Sequence, residues 1–276
     1  MWLNPMPFEK DLPRAYHAYY THEDPGQKQN PARQRFTAFQ KQMLKSLLRL
    51  TPIYREREDF NQMYLGNIKP GRLLGVGCGS GARLAYLAQM GWAVEGQEVD
   101  PVSAAVAGNY GIKVHLGPLD SLFLPASSYD AIVMNHVIEH VQDPIKLLME
   151  CRRLLSPNGI LISITPNTYS LGHRIFKYNW RGLEPPRHVF LYCQNSLHLL
   201  TQKAGFENPD SWTTSANAHH FALDSLKIVF RRTNLNMLNK IIINIASGLF
   251  LFAARIIHAL NKDSGEECVL MLRKYS

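Results

Sequence analysis

The sequence predicts a doubly wound α/β fold built on a mostly parallel sheet. Three observations lead there. Short apolar runs alternate with amphipathic segments between residues 72 and 165, the rhythm of strands joined by crossover helices. The first run passes straight into four alternating glycines, Gly75, Gly77, Gly79 and Gly81. Such a turn lets the backbone take positive φ between a strand and a helix. The chain has 276 residues, 46% of them hydrophobic and 19% charged, which suits one enlarged domain and excludes a disordered, collagen-like or polytopic membrane chain.

Residues 1–31 are rich in Pro, Tyr and His and show no clear period. The spacing predicts a helix over 32–50, with Phe36, Phe39, Met43, Leu47 and Leu50 on one face. Pro52 either ends it or opens the next helix. Residues 1–65 are therefore expected to form a helical cap. Pro70-Gly71 marks a turn. Strands are predicted at Arg72–Val76, Trp92–Glu98, Lys113–Leu116, Tyr129–Asn135 and Ile160–Thr165. Helices are predicted at Ala82–Met90, Val102–Asn109 and Ile145–Leu155, and Pro157-Asn158-Gly159 is expected to turn the chain before the fifth strand. Residues 167–195 read as irregular and basic, followed by a helix at Ser196–Ala204 closed by Gly205. A strand near 209–216 and a last strand at Cys268–Arg273 complete the pattern. The expected organisation is a core of 66–216 and 263–276, with 217–262 as an apolar helical insertion.

That insertion contains 14 uncharged residues, 241–254, before Arg255 and His258 interrupt. A spanning helix needs about 20 apolar residues, so a buried or interfacial helix is expected. Leu238, Ile241, Ile242, Ile245, Leu249, Phe252, Ile256 and Leu260 share one helical face, and Arg231, Arg232 and Lys240 precede it. A basic flank beside an apolar face suits peripheral membrane contact through 238–260, whereas burial in the core or in a dimer is the competing reading.

Lys plus Arg number 30 and Asp plus Glu 22, a net charge of +8 carried mainly by the segments flanking a near-neutral middle. A basic face attracts phosphates, anionic membranes or acidic substrates. No RRM, KH or zinc-finger pattern accompanies it, so no nucleic acid is expected as partner. Cys78, Cys151, Cys193 and Cys268 form no CxxC pair and suit a reducing compartment. The first sixteen residues carry acids and prolines where a secretory signal needs an apolar run, so a cytoplasmic location is expected.

The glycine turn is the strongest chemical signal. The helix after it aims backbone N–H groups at any carboxylate or phosphate in the turn. Glu98, at the end of the second strand and 21 residues beyond Gly77, is placed to accept both hydroxyls of a ribose. Residues 77–82 also satisfy the looser dinucleotide fingerprint GxGxxA, so a nicotinamide-dependent enzyme remains a second reading of the turn alone.

The run LLGVGCGSGARLAYLAQMGWAVEGQEVDP resembles the nucleotide motif of class I S-adenosylmethionine-dependent methyltransferases. Leu119-Asp120, SYDAIVMNHVIEHVQDP and RRLLSPNGILISITPN follow in that family's order. WRGLEPPRHVFLY and SLHLLTQKAGF look like the subgroup of ubiquinone-type O-methyltransferases and methyltransferases of sugar and natural-product pathways. The resemblance covers about residues 66–216 and the last strand. It implies a Rossmann-like, seven-stranded sheet with an antiparallel last strand, and S-adenosylmethionine as cofactor. It places Gly75, Gly77, Cys78, Gly79 and Gly81 at the cofactor turn, Glu98 and Val99 at the ribose, Leu119 and Asp120 at the adenine, and Asn135 and His136 near the sulfonium. One departure stands out: Gly75 occupies the position where the family usually has Asp or Glu. A non-catalytic binding or scaffold protein that keeps the fold is the alternative this departure supports.

The acceptor is expected to be a small or lipid-linked molecule methylated on oxygen. The fourth strand ends in NHVI, without the prolines of NPPY-type or DPPY-type N-methyltransferase loops. A hydroxyl acceptor benefits from a base or a metal. His188, stiffened by Pro185 and Pro186, and His140 are the candidate catalytic residues. Should a helix start near residue 136, His136, Glu139 and His140 would share a face. Ubiquinone-type relatives place two carboxylates and a histidine there for a divalent metal. The first acid is His136 in this sequence, and no metal site is assigned. Tyr20, Trp180, Arg181 and Arg187 are candidates for the acceptor pocket, an arginine serving an acidic group.

Overall fold

The computed structural model describes Met1, Leu3, residues 51–230 and residues 237–275. The helix expected over 32–50 and Tyr20 lie outside the described residues. Helix α1 (Pro52–Asn61) is followed by β1 (Arg72–Val76), α2 (Ala82–Gln89), β2 (Ala93–Glu98), α3 (Pro101–Gly108), β3 (Lys113–Leu116), β4 (Tyr129–Asn135), α4 (Pro144–Leu154) and β5 (Leu155–Pro166). Then come α5 (Leu171–Phe176), α6 (Gln194–Lys203), β6 (Asp210–Thr214), α7 (Ala218–Phe230), α8 (Met237–Leu260) and β7 (Glu267–Arg273). Seven strands form one sheet in the order β3-β2-β1-β4-β5-β7-β6. Neighbours from β3 through β5 pair in parallel, and β7 runs antiparallel to β5 and β6. β6 therefore points the same way as β5, and the carboxyl ends of β1–β6 share one edge with the start of β7.

The central strands are apolar along their whole length because helices cover both faces. β4 and β5 bury Ala131–Met134 and Ile160–Pro166, and β1 buries Leu73, Leu74 and Val76. Helix starts are written locally: Thr51, Asp100 and Asp143 each accept a backbone N–H three residues on, and each is followed by proline at the first helical position. Pro52 thus opens a helix.

Two local expectations are corrected. Pro157-Asn158-Gly159 does not end before the fifth strand but lies inside β5. The register jumps from Tyr129↔Leu155 to Ala131↔Ile160, and Asn158 sits at φ +63°. The turn chemistry is real but local, because Asn158 N–H donates to the Lys274 carbonyl (2.8 Å) and Lys274 N–H to that of Gly159 (3.0 Å), which keeps the bulge on the sheet. Likewise no helix starts at residue 136. His136 takes φ +56°, residues 136–140 turn, and α4 begins only at Pro144.

The insertion forms α7 and α8. Ile243, Ser247, Phe250 and Ala254 are buried on one side of α8, where a cluster joins Phe250 and Ala254 to Ala218 and Ala222 of α7 and to Leu171 and Phe176 of α5. Its other side faces solvent, so the expected burial of that apolar face in the core does not occur.

Candidate active site

In sheets of this kind ligands bind at the carboxyl edge where the strand order reverses, here between β1 and β4. Gly77, Gly79 and Gly81 take φ of +59°, +54° and +76°. A Cβ on Gly77 would come 2.6 Å from a Val137 methyl, and one on Gly81 2.7 Å from Ala107 Cβ. The turn is thus a cradle that side chains would close. Glu98 is buried behind it and accepts N–H bonds from Gly79 (2.8 Å), Val99 (2.8 Å) and Asp100 (3.0 Å). Those bonds fix its carboxylate at the end of β2, beside exposed Val99 and Leu116. Asn135 Oδ1, at the end of β4, is buried with no hydrogen-bond partner among the described residues. An orphaned acceptor beside a glycine cradle and a fixed carboxylate fits a nucleoside carrying a cationic centre.

Gln97 is a functional residue that sequence reading missed. Its Oε1 accepts from Gly77 N–H (3.1 Å) and its Nε2 donates to the Gly117 carbonyl (2.7 Å), so one buried amide ties the glycine turn to the end of β3. Its only sequence signal is a polar residue in a strand that is otherwise covered. Cys78 N–H donates to the Gln97 carbonyl (3.0 Å), and burial, with Glu98 nearby, pushes the Cys78 thiol up to about 12, so the thiol stays protonated. Gly75 also has a reason: a Cβ there would lie 2.6 Å from Leu84, whose side chain fills the space the family's acid would need. Leu119 is buried in the main core cluster. Asp120 is exposed and pairs with Lys146 at 2.5 Å, which lowers its pKa.

The other half of the edge is a polar cluster. His136 Nδ1 lies 3.1 Å from Glu139 Oε1 and its Nε2 2.7 Å from Glu267 Oε1, so one imidazole bridges two fully buried carboxylates. Burial alone would lower the His136 pKa, but the two carboxylates outweigh it and hold the ring as imidazolium. The same contact outweighs burial at Glu139 and keeps it ionised. Thr165 donates to Glu139 Oε2 (3.0 Å), and Phe221 of α7 stands 6.3 Å from the His136 ring.

His140 and His188 pack edge to face with ring centres 4.7 Å apart. Their Nδ1 atoms lie 3.0 Å from the Arg187 carbonyl and 2.7 Å from the Gly182 carbonyl. His188 is only 5% exposed, and burial lowers its pKa to about 4. Glu139, His140 and His188 each offer one ligand atom, all within 4.8 Å of one another. The structure therefore groups His188 with Glu139 and His140, not His136, whose ring nitrogens are both engaged. One carboxylate and two imidazoles do not make the oxygen-rich set that Mg²⁺ demands; among divalent ions they suit zinc.

Trp180 is 1% exposed, stacked 6.0 Å from Phe221 and 4.8 Å from His173, so it is a wall behind the cluster. Arg181 and Arg187 both pair with the Glu184 carboxylate, which neutralises part of their charge.

A family model described as a methyltransferase domain matches residues 39–210. The ubiquinone biosynthesis O-methyltransferase of Cereibacter sphaeroides is 28% identical over 183 residues, 59% of this chain and 74% of that protein. A protein of Mycolicibacterium smegmatis named probable S-adenosylmethionine-dependent methyltransferase is 34% identical over 143 residues, half of this chain and 53% of its own length. Among solved structures, a methyltransferase of Thermotoga maritima superposes with a TM-score of 0.54 at 20% identity, covering 85% of this chain and 97% of that one. Phosphoethanolamine N-methyltransferase 2 of Haemonchus contortus gives 0.54 at 15% identity over 79% and 53%. These structures share the fold. With the family model spanning more than half its length, the chain belongs to the methyltransferase domain family and is an S-adenosylmethionine-dependent methyltransferase.

Proposed function

We propose that this enzyme methylates an oxygen of a small or lipid-linked metabolite, in the cytoplasm and against a membrane surface. The observation that carries the reading is the partly buried cluster of His136, Glu139, His140 and His188 beside the cofactor crevice. Relatives named for O-methylation in ubiquinone biosynthesis support the oxygen acceptor.

S-adenosylmethionine supplies an electrophilic methyl group on a sulfonium. The chain's residues position and deprotonate. Gly77, Gly79 and Gly81 admit the cofactor to the backbone, Glu98 and Val99 meet its ribose, and the Leu119-Asp120 turn borders its adenine. Asn135 Oδ1, buried and unpartnered among the described residues, would be the uncharged acceptor for the sulfonium. Alignment of the acceptor oxygen with the methyl carbon then contributes much of the rate. His188 is neutral at physiological pH, and its Nδ1–H is spent on the Gly182 carbonyl, so its Nε2 is the acceptor side of the ring. We assign proton removal to His140, with the neutral His188 packed against it to orient its ring. Trp180, Arg181 and Arg187 form the acceptor wall and rim, and residues 1–65 and 217–262 cap the core.

Calorimetric titration with S-adenosylhomocysteine tests the cofactor half. We expect micromolar binding that falls at least tenfold in Glu98→Ala. Equal binding by both proteins would overturn the assignment. For the acceptor half, phenols bearing side chains of increasing length serve as probes with labelled S-adenosylmethionine. His140→Ala is expected to cut kcat without changing S-adenosylhomocysteine affinity, and unchanged kcat would remove His140 as the base.

A further inference from the structure

Helix α8 has 24 residues, about 36 Å of helix. It is apolar on both sides. The inner side is accounted for by α7 and α5. On the outer side Ile241, Ile242, Ile245, Leu249, Phe252, Ile256 and Leu260 are between 45% and 84% exposed, one continuous stripe from end to end of the helix. Single exposed apolar residues are ordinary, but a contiguous stripe of seven large ones marks a contact surface.

By length and composition residues 239–260 are apolar enough to cross a bilayer. The packing opposes that orientation. Ser247 and Ala254 seat α8 closely against the domain, and its last turns are tied down by Arg255–Glu56 (3.0 Å) and by His258 Nε2 to Thr213 Oγ1 (3.1 Å). The loop after it is bound to the end of β5 by Asn167 Nδ2, which donates to the Asp263 and Gly265 carbonyls (2.7 and 2.8 Å). A spanning helix would have to break all of these.

Charge identifies the occupant. Residues 225–262 contain six basic side chains, Lys227, Arg231, Arg232, Lys240, Arg255 and Lys262, and no acidic one. Among the described ones, Arg255 pairs with Glu56 and Lys227 with the neighbouring Asp224. A second copy laid on this face would bring the same net-positive segment against it, like charge against like. An anionic lipid surface supplies both missing complements, acyl chain for the stripe and negative headgroup for the basic residues.

We propose that α8 lies flat in the interface of an anionic lipid bilayer, with its 241–260 stripe inserted among the acyl chains. The proposal deepens the membrane-surface reading above. It also places the membrane next to the chemistry, because α7, which α8 packs on, carries Phe221 at 6.3 Å from His136. An acceptor held in the bilayer would meet the acceptor half of the crevice past the first turn of α7.

The test uses the full chain and vesicles of phosphatidylglycerol and phosphatidylcholine, with pure phosphatidylcholine as comparison. We expect co-sedimentation with the anionic vesicles, at least tenfold weaker partitioning on neutral ones, and the same loss in Leu249→Ser/Phe252→Ser. Unchanged S-adenosylhomocysteine binding shows that this variant is folded. A second readout is Phe252→Trp, whose emission should shift to the blue and be quenched by brominated acyl chains. Equal partitioning of wild type and the double variant, or no binding to either vesicle, overturns the proposal. A dimer that the double variant dissociates also overturns it, in favour of a second copy. Docking without any effect of vesicles on turnover would leave this proposal standing and remove the lipid-linked acceptor.

Discussion

Gly75 is where this chain departs from its family, and the structure turns that departure into a measurable coupling. The side chain of Leu84, itself 2% exposed, occupies the space over Gly75. A Cβ at residue 75 would lie 2.6, 2.9 and 3.0 Å from Leu84 Cδ2, Cδ1 and Cγ, so rotating a methyl does not relieve the contact. Gly96 on β2 lies on the far side of the same leucine, where a Cβ would stand 3.4 Å from Leu84 Cδ1. Overpacking of this kind costs about 1–3 kcal/mol. Replacing glycine at an ordinary backbone angle returns about 0.4–1 kcal/mol through the unfolded chain. Gly75→Ala should therefore lose about 1–2 kcal/mol. Leu84→Ala alone should lose about 2–5 kcal/mol. In the Leu84→Ala background the new methyl enters vacated space, so Gly75→Ala should become stabilising. The two changes then couple by about 1–3 kcal/mol. Urea unfolding of the four proteins reads this directly, provided the slopes agree. The same displacement pushes on α2, which begins directly after Gly81, so S-adenosylhomocysteine affinity should fall in Gly75→Ala and recover in the double variant. If Gly75→Ala costs the same in both backgrounds, Leu84 is not what excludes a side chain there, and this account of the missing acid fails.

Three further outcomes follow from the site. Gln97→Leu leaves Gly77 N–H and the Gly117 carbonyl without their partner, so stability should drop about 1–3 kcal/mol and S-adenosylhomocysteine affinity about tenfold by calorimetry. His188 has a folded pKa lowered by burial to about 4, so between its unfolded value of about 6.5 and pH 4 the unfolded chain holds a proton that the folded chain does not. Its contribution is fully present above pH 6.5 and is lost as pH falls, up to about 3 kcal/mol; urea midpoints at pH 7 and 4.5 should therefore fall less in His188→Gln than in wild type. His136→Ala strands Glu139 and Glu267 as buried unpaired charges and should cost about 3–5 kcal/mol at pH 7. At pH 5 that penalty should shrink, because stranded carboxylates take up protons; a penalty independent of pH would argue against the ion bridge.

The central strands were legible because a sheet covered on both faces needs apolar residues on both, which leaves the runs Leu73–Val76, Ala131–Met134 and Ile160–Ile164, whereas β2 and the edge strand β3 are more polar. The glycine turn was legible because three positive φ angles in five residues, at 77, 79 and 81, strongly favour glycine. What the sequence hid depends on distance along the chain. The second partner of His136 is Glu267, 131 residues later, and nothing near position 136 signals it. Helical spacing put His136 with Glu139 and His140, yet a left-handed His136 breaks the helix, and His188 takes the third place through the loop after Pro186. Asn158 and Gly159 carry honest turn chemistry, but the end of β7 holds them in a bulge. Tyr20 lies outside the described residues. Trp180, a candidate for the acceptor pocket, is buried because Phe221 and His173 cover its faces.

Seen from the acceptor side, the insertion is part of the site's construction. β7 enters the sheet between β5 and β6, and its first residue is Glu267. The loop before β7 is fixed by Asn167 and Thr213, and α8 before that loop is fixed to Glu56 by Arg255. Glu56 in turn accepts from Thr214 Oγ1 (2.7 Å) and Ser215 N–H (2.8 Å) at the end of β6. One carboxylate therefore joins α1, the end of β6 and α8. Through Glu56 and the 261–266 loop, an unbroken chain of polar contacts runs from α8 to Glu267 and the His136 imidazole that it holds.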